Sequence, residues 1–356
     1  MEWNNSRVDK FRLAAAIMVV AIHIGPLGII NERLDFGITY CLARVGVPFF
    51  FIVTGYFVLG RRERQGDYMA RILRLYALAT ILYLPVNFYA GKQVEGVAGA
   101  MRDLLFDGTF YHLWYFPAVL IGSGIVAGLL ALCGERQCGI IALLLYIAGT
   151  LGDSYGNLVM ATDIGENFYR QLFAISDYTR NGIFYAPIFL WMGVMLRRKW
   201  AGETAEPEQN NSQKKRQVKW TAGLAASVIL MLAEGFFTYQ KGWQRHNSMY
   251  FMLLPVMYFL SCILFPGNRE VRMESVELWE KAKWRGKRMR DISLWIYLLH
   301  PLCIILVRGG AKVTGLTWLL VENTIVHFLA VCVVSVAGAY TVSAIWDLVK
   351  KGKKHE

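Results

Sequence analysis

Arg12 and His23 stand eleven positions apart in the apolar run that opens the chain, VDKFRLAAAIMVVAIHIG. On an α-helix, eleven residues turn through about 1100° and rise about 16 Å. The two side chains therefore share one stripe, with Arg12 at the polar mouth and His23 near the bilayer middle. Asp9 lies one turn before Arg12 and is placed to pair with it. A neutral imidazole at that depth can take a proton from a hydroxyl. A guanidinium at the mouth can hold a phosphate or pyrophosphate. The spacing also suits a plainer pair, a His bonded to a neighbouring helix and an Arg whose head snorkels to water.

Two further groupings carry chemistry. Arg71 and Arg74 sit at i and i+3, with Arg61, Arg62 and Arg64 just before them. Such a cationic mouth would suit an anionic cofactor such as coenzyme A, and equally the simple anchoring of a cytoplasmic loop. Tyr297 and His300 share a helix face ahead of Pro301, which would free a backbone carbonyl and bend the helix there. His300 lies about nine residues from the cytoplasmic end of its span, a depth close to that of His23. Arg44, His327 and Glu322 fall in or near apolar spans, where a polar group is either a site residue or a helix-packing contact. His112, in Tyr-His-Leu-Trp-Tyr, and Glu234 read as interfacial anchors. Gly124 and Gly128 form a G-x-x-x-G pair that suggests close helix packing. No GxSxG, Walker A or HExxH arrangement occurs. The six cysteines lack the spacing of a zinc site or disulfide framework and read as small core residues.

The elements that must position these groups are membrane helices. The chain is 55% hydrophobic and 18% charged, with net charge +12 and mean hydropathy +0.36. A soluble chain carries about a quarter charged residues. The basic residues lie between long apolar runs, a topology pattern rather than a nucleic-acid surface. At about 20 residues per crossing, the sequence predicts an all-α bundle of about ten transmembrane helices. They run near 11–30, 38–59, 72–89, 113–132, 138–151, 182–196, 218–237, 249–265, 292–307 and 318–346. Most of the 38 Lys and Arg fall in alternate loops, which puts both termini in the cytoplasm. Residues 1–349 form one transmembrane domain and 350–356 a basic tail. The loop 197–219 reads as polar and flexible, and 267–291 as an amphipathic helix on the membrane surface. From the sequence, neither a cleavable signal peptide nor a further domain after residue 356 is expected. The absence of a visible internal repeat counts against an inverted-repeat transporter.

At these residues the sequence resembles the acyltransferase-3 family of integral membrane proteins. Arg12 and His23 match the Arg and His of the family's first helix. "RVGVPFFFIVTGYFVLGRR" resembles the second helix, with Thr54-Gly55 where Ser-Gly is usual. Arg71 and Arg74 match the Arg-x-x-Arg of the third, and "HLWYFPAVL" and "SLWIYLLHP" are similar to later helices. The resemblance implies a multi-pass protein of the bacterial cytoplasmic membrane that takes an acyl group, usually acetyl, from cytoplasmic acyl-CoA as a co-substrate, with no permanently bound cofactor. The acceptor would be a hydroxyl of a glycan, lipid-linked sugar or other envelope molecule. By that resemblance His23 is the catalytic base or acyl relay, and Arg12, Arg71 and Arg74 orient the donor. Asp9, Arg44, Tyr297 and His300 are accessory candidates from position alone. The chain is also similar to the membrane half of the vancomycin-resistance serine racemases, which implies an alternative, uptake of L-serine or a similar small polar solute.

Overall fold

The computed structural model describes residues 6–61, 63, 65–92, 96–202, 210–265 and 276–352. Every regular element among them is helical. In chain order the longer ones are α1 (Ser6–Ile24), α2 (Glu32–Leu59), α3 (Gln65–Tyr89), α4 (Gly96–Arg102), α5 (Tyr115–Leu132), α6 (Gly134–Gly152) and α7 (Asp163–Ile175). They continue with α8 (Ala186–Gly202), α9 (Asn210–Gln240), α10 (Leu253–Leu264), α11 (Val276–Thr314) and α12 (Thr324–Gly352). The chain divides into two compact units, Met1–Gly46 with Leu264–Glu356, and Val47–Ile263.

Among the described residues, six helices are long and apolar enough to cross a bilayer: α2, α3, α5, α9 from Ser212, α11 from Trp279, and α12 as far as Leu348. The other expected spans also fall on helices, but these are short (α10) or carry charge at one end (α1, α6, α8). On α3, Leu73, Leu78, Ile81, Leu82 and Leu84 face outward. Such a surface is costly in water and ordinary against lipid.

Several boundaries differ from expectation for identifiable reasons. The first helix stops at Ile24, not Ile30, because Gly25 turns into the left-handed region (φ +66) and Pro26 follows. His23 therefore occupies the last turn of α1. Residues 276–291 are not a separate surface helix: they are the first turns of α11, which runs unbroken for 39 residues. Likewise 210–219 begin α9. Residues 197–202 end α8, while Arg62, Arg64 and residues 203–209, 266–275 and 353–356 lie outside the described residues. Gly124 and Gly128 have no atom within 4 Å of a hypothetical Cβ among the described residues, so they do not form a close helix contact there.

The first unit is built on α1, α11 and α12, whose shared core holds Ala16 and Val20, Ile292, Ile296 and Ile304, and Val331 and Ala339. Small residues on α1 let the helices approach closely. Helix α1 runs parallel to α11: Asp9 meets Arg290 near one end and His23 meets His300 near the other. Helix α12 returns antiparallel, with Arg308 against His327 and Arg288 against Ser343. In the second unit, α2 and α8 cross at Gly55 and Gly193. A Cβ on Gly55 would lie 2.1 Å from the Leu190 carbonyl oxygen, and one on Gly193 would lie 2.2 Å from that of Ile52. Only glycine permits that approach. Gly55→Ala or Gly193→Ala should cost about 1–3 kcal/mol by overpacking. This is read as a lowered thermal midpoint in detergent, with Gly128→Ala unchanged as the control.

Candidate functional site

Both ends of the α1–α11 pair carry ionisable groups. At the N-terminal end Asp9 is buried, with its side chain 6% exposed, and it binds two guanidiniums. Arg12 Nε lies 3.5 Å from one carboxylate oxygen, and Arg290 Nη1 donates to the other at 2.9 Å. The expected Asp9–Arg12 pair thus exists, and Arg290 is a third member that sequence spacing could not reveal. It comes from a helix 281 residues away. Gly286 makes room for the carboxylate, since a Cβ there would sit 2.6 Å from Asp9 Oδ2.

At the other end the imidazole rings of His23 and His300 stack, with centroids 5.2 Å apart and planes 24° from parallel. His300 is fully buried and His23 partly so. Pro301 explains the orientation of His300. It has no N–H, so the Tyr297 carbonyl four residues earlier loses its helical donor. His300 Nδ1 replaces that donor, lying 2.8 Å from Tyr297 O and 3.2 Å from Ile296 O. A carbonyl only accepts, so Nδ1 carries the proton and Nε2 the lone pair. Two stacked imidazolium rings would repel at this separation, so the stack disfavours charging both rings at once, and a neutral ring is the form able to accept a proton. The ring of Tyr297 lies 6.2 Å from that of His300.

Arg44 is buried on the stretch of α2 that packs along α1, between the contact of Asp35 with Gly25 and that of Gly46 with Ala15. Its guanidinium lies 5.6 Å from the centre of the Tyr40 ring. Asp35, a buried carboxylate not singled out by the sequence, accepts hydrogen bonds from the Leu27 N–H and the Thr39 hydroxyl, both at 2.9 Å. It thereby fixes the turn that follows His23. The only sequence signal for it is a carboxylate just past a helix end.

Arg71 and Arg74 belong to the second unit and are exposed on α3; Arg74 Nε donates to the Ala70 carbonyl of its own helix. One turn before Arg71, the Tyr68 hydroxyl is 2.9 Å from that of Thr54, which also bonds the Phe50 carbonyl. Thr54 therefore uses the same hydroxyl a serine would offer. Glu322 is exposed, whereas Glu234, His327 and His112 have structural partners. Glu234 accepts from the Phe251 and Met252 N–H groups and the Tyr155 hydroxyl. His327 Nε2 accepts from Arg308 Nε at 3.4 Å. His112 is enclosed by the rings of Tyr83, Phe110 and Tyr111. Outside the spans, burial raises the Asp107 carboxyl above the usual carboxylate range, while Ser176 and the Asp177 N–H hold it in place.

Residues 5–344 match the family described as an acyltransferase domain, acyltransferase-3, and the chain belongs to that family. With its apolar helices, this makes it a multi-pass membrane protein. It is 34% identical over 359 residues to an amino-acid racemase of Enterococcus faecalis, covering 98% of this chain and 47% of the relative. It is 33% identical over 345 residues to a serine/alanine racemase of Enterococcus gallinarum, covering 93% of this chain and 45% of the relative. The chain thus spans about half the length of the curated relatives it matches. No solved structure matches it.

The tautomer of His300 is testable directly. In protein labelled with ¹⁵N-histidine, the His300 signal should show Nδ1 protonated and Nε2 unprotonated. Pro301→Ala returns a backbone donor to the Tyr297 carbonyl, so the two tautomers should then mix.

Proposed function

We propose that this chain is an integral-membrane O-acyltransferase. It moves an acyl group, acetyl in the simplest case, from cytoplasmic acyl-CoA to a hydroxyl of a glycan or other cell-envelope acceptor. The observation that carries the reading is the histidine stack: a partly exposed imidazole held against a buried one whose tautomer a proline dictates. In this scheme His23 takes the proton of the acceptor hydroxyl as its oxygen attacks the thioester carbonyl. The carbon–sulfur bond then breaks, and the coenzyme A thiolate leaves and takes up a proton. Arg12 holds donor phosphate at the mouth of the same helix, and Arg71 and Arg74 bind donor phosphate from α3.

We further propose about ten spans with both termini in the cytoplasm, in a bacterial cytoplasmic membrane. The parallel course of α1 and α11 supports this, because the first and ninth of ten spans must run the same way. The charged first turns of both helices suit the cytoplasmic side.

Purified protein should turn over acetyl-CoA, and His23→Ala should slow it by about 100-fold or more, the usual worth of a general base. Absence of turnover in wild type, or an unchanged His23→Ala, would contradict the reading. Arg71→Gln and Arg74→Gln should raise the KM for acetyl-CoA more than they lower kcat.

A second reading is uptake of serine or a similar small solute. The relatives are named for racemising amino acids, serine and alanine in one case, which suggests the solute such uptake would serve. Proteoliposomes that accumulate labelled serine, without acetyl-CoA turnover, would decide for it.

A further inference from the structure

Residues 276–291 do not form the expected surface helix, but α7 has that pattern. Its start is set locally. The Thr162 hydroxyl accepts from the Gly165 N–H at 3.2 Å, and Asp163 and Glu166 place negative charge in the first turn. One face of the helix is fastened to the rest of the second unit. Gly165 lies so close to Val159 that a Cβ would sit 2.1 Å from its carbonyl oxygen. One turn on, Tyr169 is buried, packs against Gly152 and donates to the Ala148 carbonyl at 2.6 Å. One turn further, the Arg245 guanidinium carbon lies 3.3 Å from the centre of the Phe173 ring. Just past the helix end, the Ser176 hydroxyl and the Asp177 N–H both donate to the Asp107 carboxylate at 3.0 Å. Three contacts along one stripe and a tie at the C-terminal end hold the helix against rolling.

At about 100° per residue, Ile164, Phe168 and Ile175 fall within about 40° of one another, on the flank beside that stripe. They are 85%, 54% and 59% exposed. Gln171 is the one polar residue among them, and Asp163, Glu166, Asn167 and Arg170 lie around the rest of the exposed surface, with Glu166 paired to Arg170. Large apolar side chains fixed outward are costly in water, and the surroundings supply another solvent. Tyr169 seats α7 on the last turn of α6, and α6 exposes Ile140, Leu143 and Leu144 farther along its own surface. The end of an apolar helix in a membrane protein is where hydrocarbon gives way to headgroups, the level at which an amphipathic helix lies. We infer that α7 rests in the bilayer surface, with Ile164, Phe168 and Ile175 among the acyl chains of the leaflet at that end of α6. Its charged groups are two carboxylates, Asp163 and Glu166, and one guanidinium, Arg170, so the helix is one negative charge in excess. Attraction to anionic headgroups therefore contributes nothing, and burial of apolar area drives the insertion.

The experiment places a photoreactive diazirine side chain at position 168 of the full chain in phosphatidylcholine nanodiscs and identifies its adducts by mass spectrometry after illumination. The same side chain at position 170, about 200° around the helix, is the control. Should the variant at 168 fail to fold, position 164 carries the same test. Phospholipid adducts at 168 should exceed those at 170 by about fivefold or more. Their yield should agree within about twofold when phosphatidylglycerol is included and when salt is raised. Equal lipid adducts at the two positions would overturn the inference. So would adducts at 168 formed with water alone, with another part of this chain or with a second copy of it. A yield that climbs with phosphatidylglycerol and collapses in high salt would overturn the apolar basis of the insertion.

Discussion

The parallel contact between α1 and α11 is the constraint on which the first unit depends. It is fixed electrostatically at one end, where a buried carboxylate joins two guanidiniums, and by ring stacking at the other, where two histidines meet. Between these points the helices pack through Ala16, Val20, Ile292 and Ile296. A charged group buried against a helix is tolerable only if its partner stays in place. The apolar packing that holds the partner thus also keeps the two chemical ends in register. About 14 residues of α1 and 10 of α11 separate the rungs, roughly 21 and 15 Å of helix rise.

Local backbone chemistry then determines what each rung can do. Pro301 does not break α11. Its cost is one missing hydrogen bond, and the side chain of the preceding residue supplies the replacement. Gly25 and Pro26 end α1 just past His23, and Asp35 ties down the turn that follows. The catalytic candidate therefore stands at a helix end held by a carboxylate, not in the middle of an uninterrupted span.

Much of this was legible in the sequence because it is local. The helical class followed from apolar runs, and the Asp9–Arg12 and Tyr297–His300 relations from helical spacing. The part played by Pro301 followed from its missing N–H. What the sequence could not supply was long-range. Arg290 reads as one of several basic residues in a charged loop until α11 is seen to pass α1. The His23–His300 stack joins residues that no spacing rule connects. The two loop errors share one cause: charge marks where a helix leaves the bilayer, not where it stops being helical, so 276–291 and 210–219 continue α11 and α9. The Gly124–Gly128 pair failed for the converse reason, since small residues permit a close crossing without requiring one. The glycines that make one, Gly55 and Gly193, lie on different helices.

The central claim is that the α1–α11 pair holds the donor at its charged end and the reacting acyl group at its histidine end. A cryo-electron microscopy structure of the full chain with a non-cleavable thioether analogue of acetyl-CoA tests it most directly. Phosphate density against Arg12, with the acyl carbonyl beside the His23 imidazole, is the result expected. An analogue bound with its phosphates away from Arg12 and its acyl end remote from His23 would contradict it.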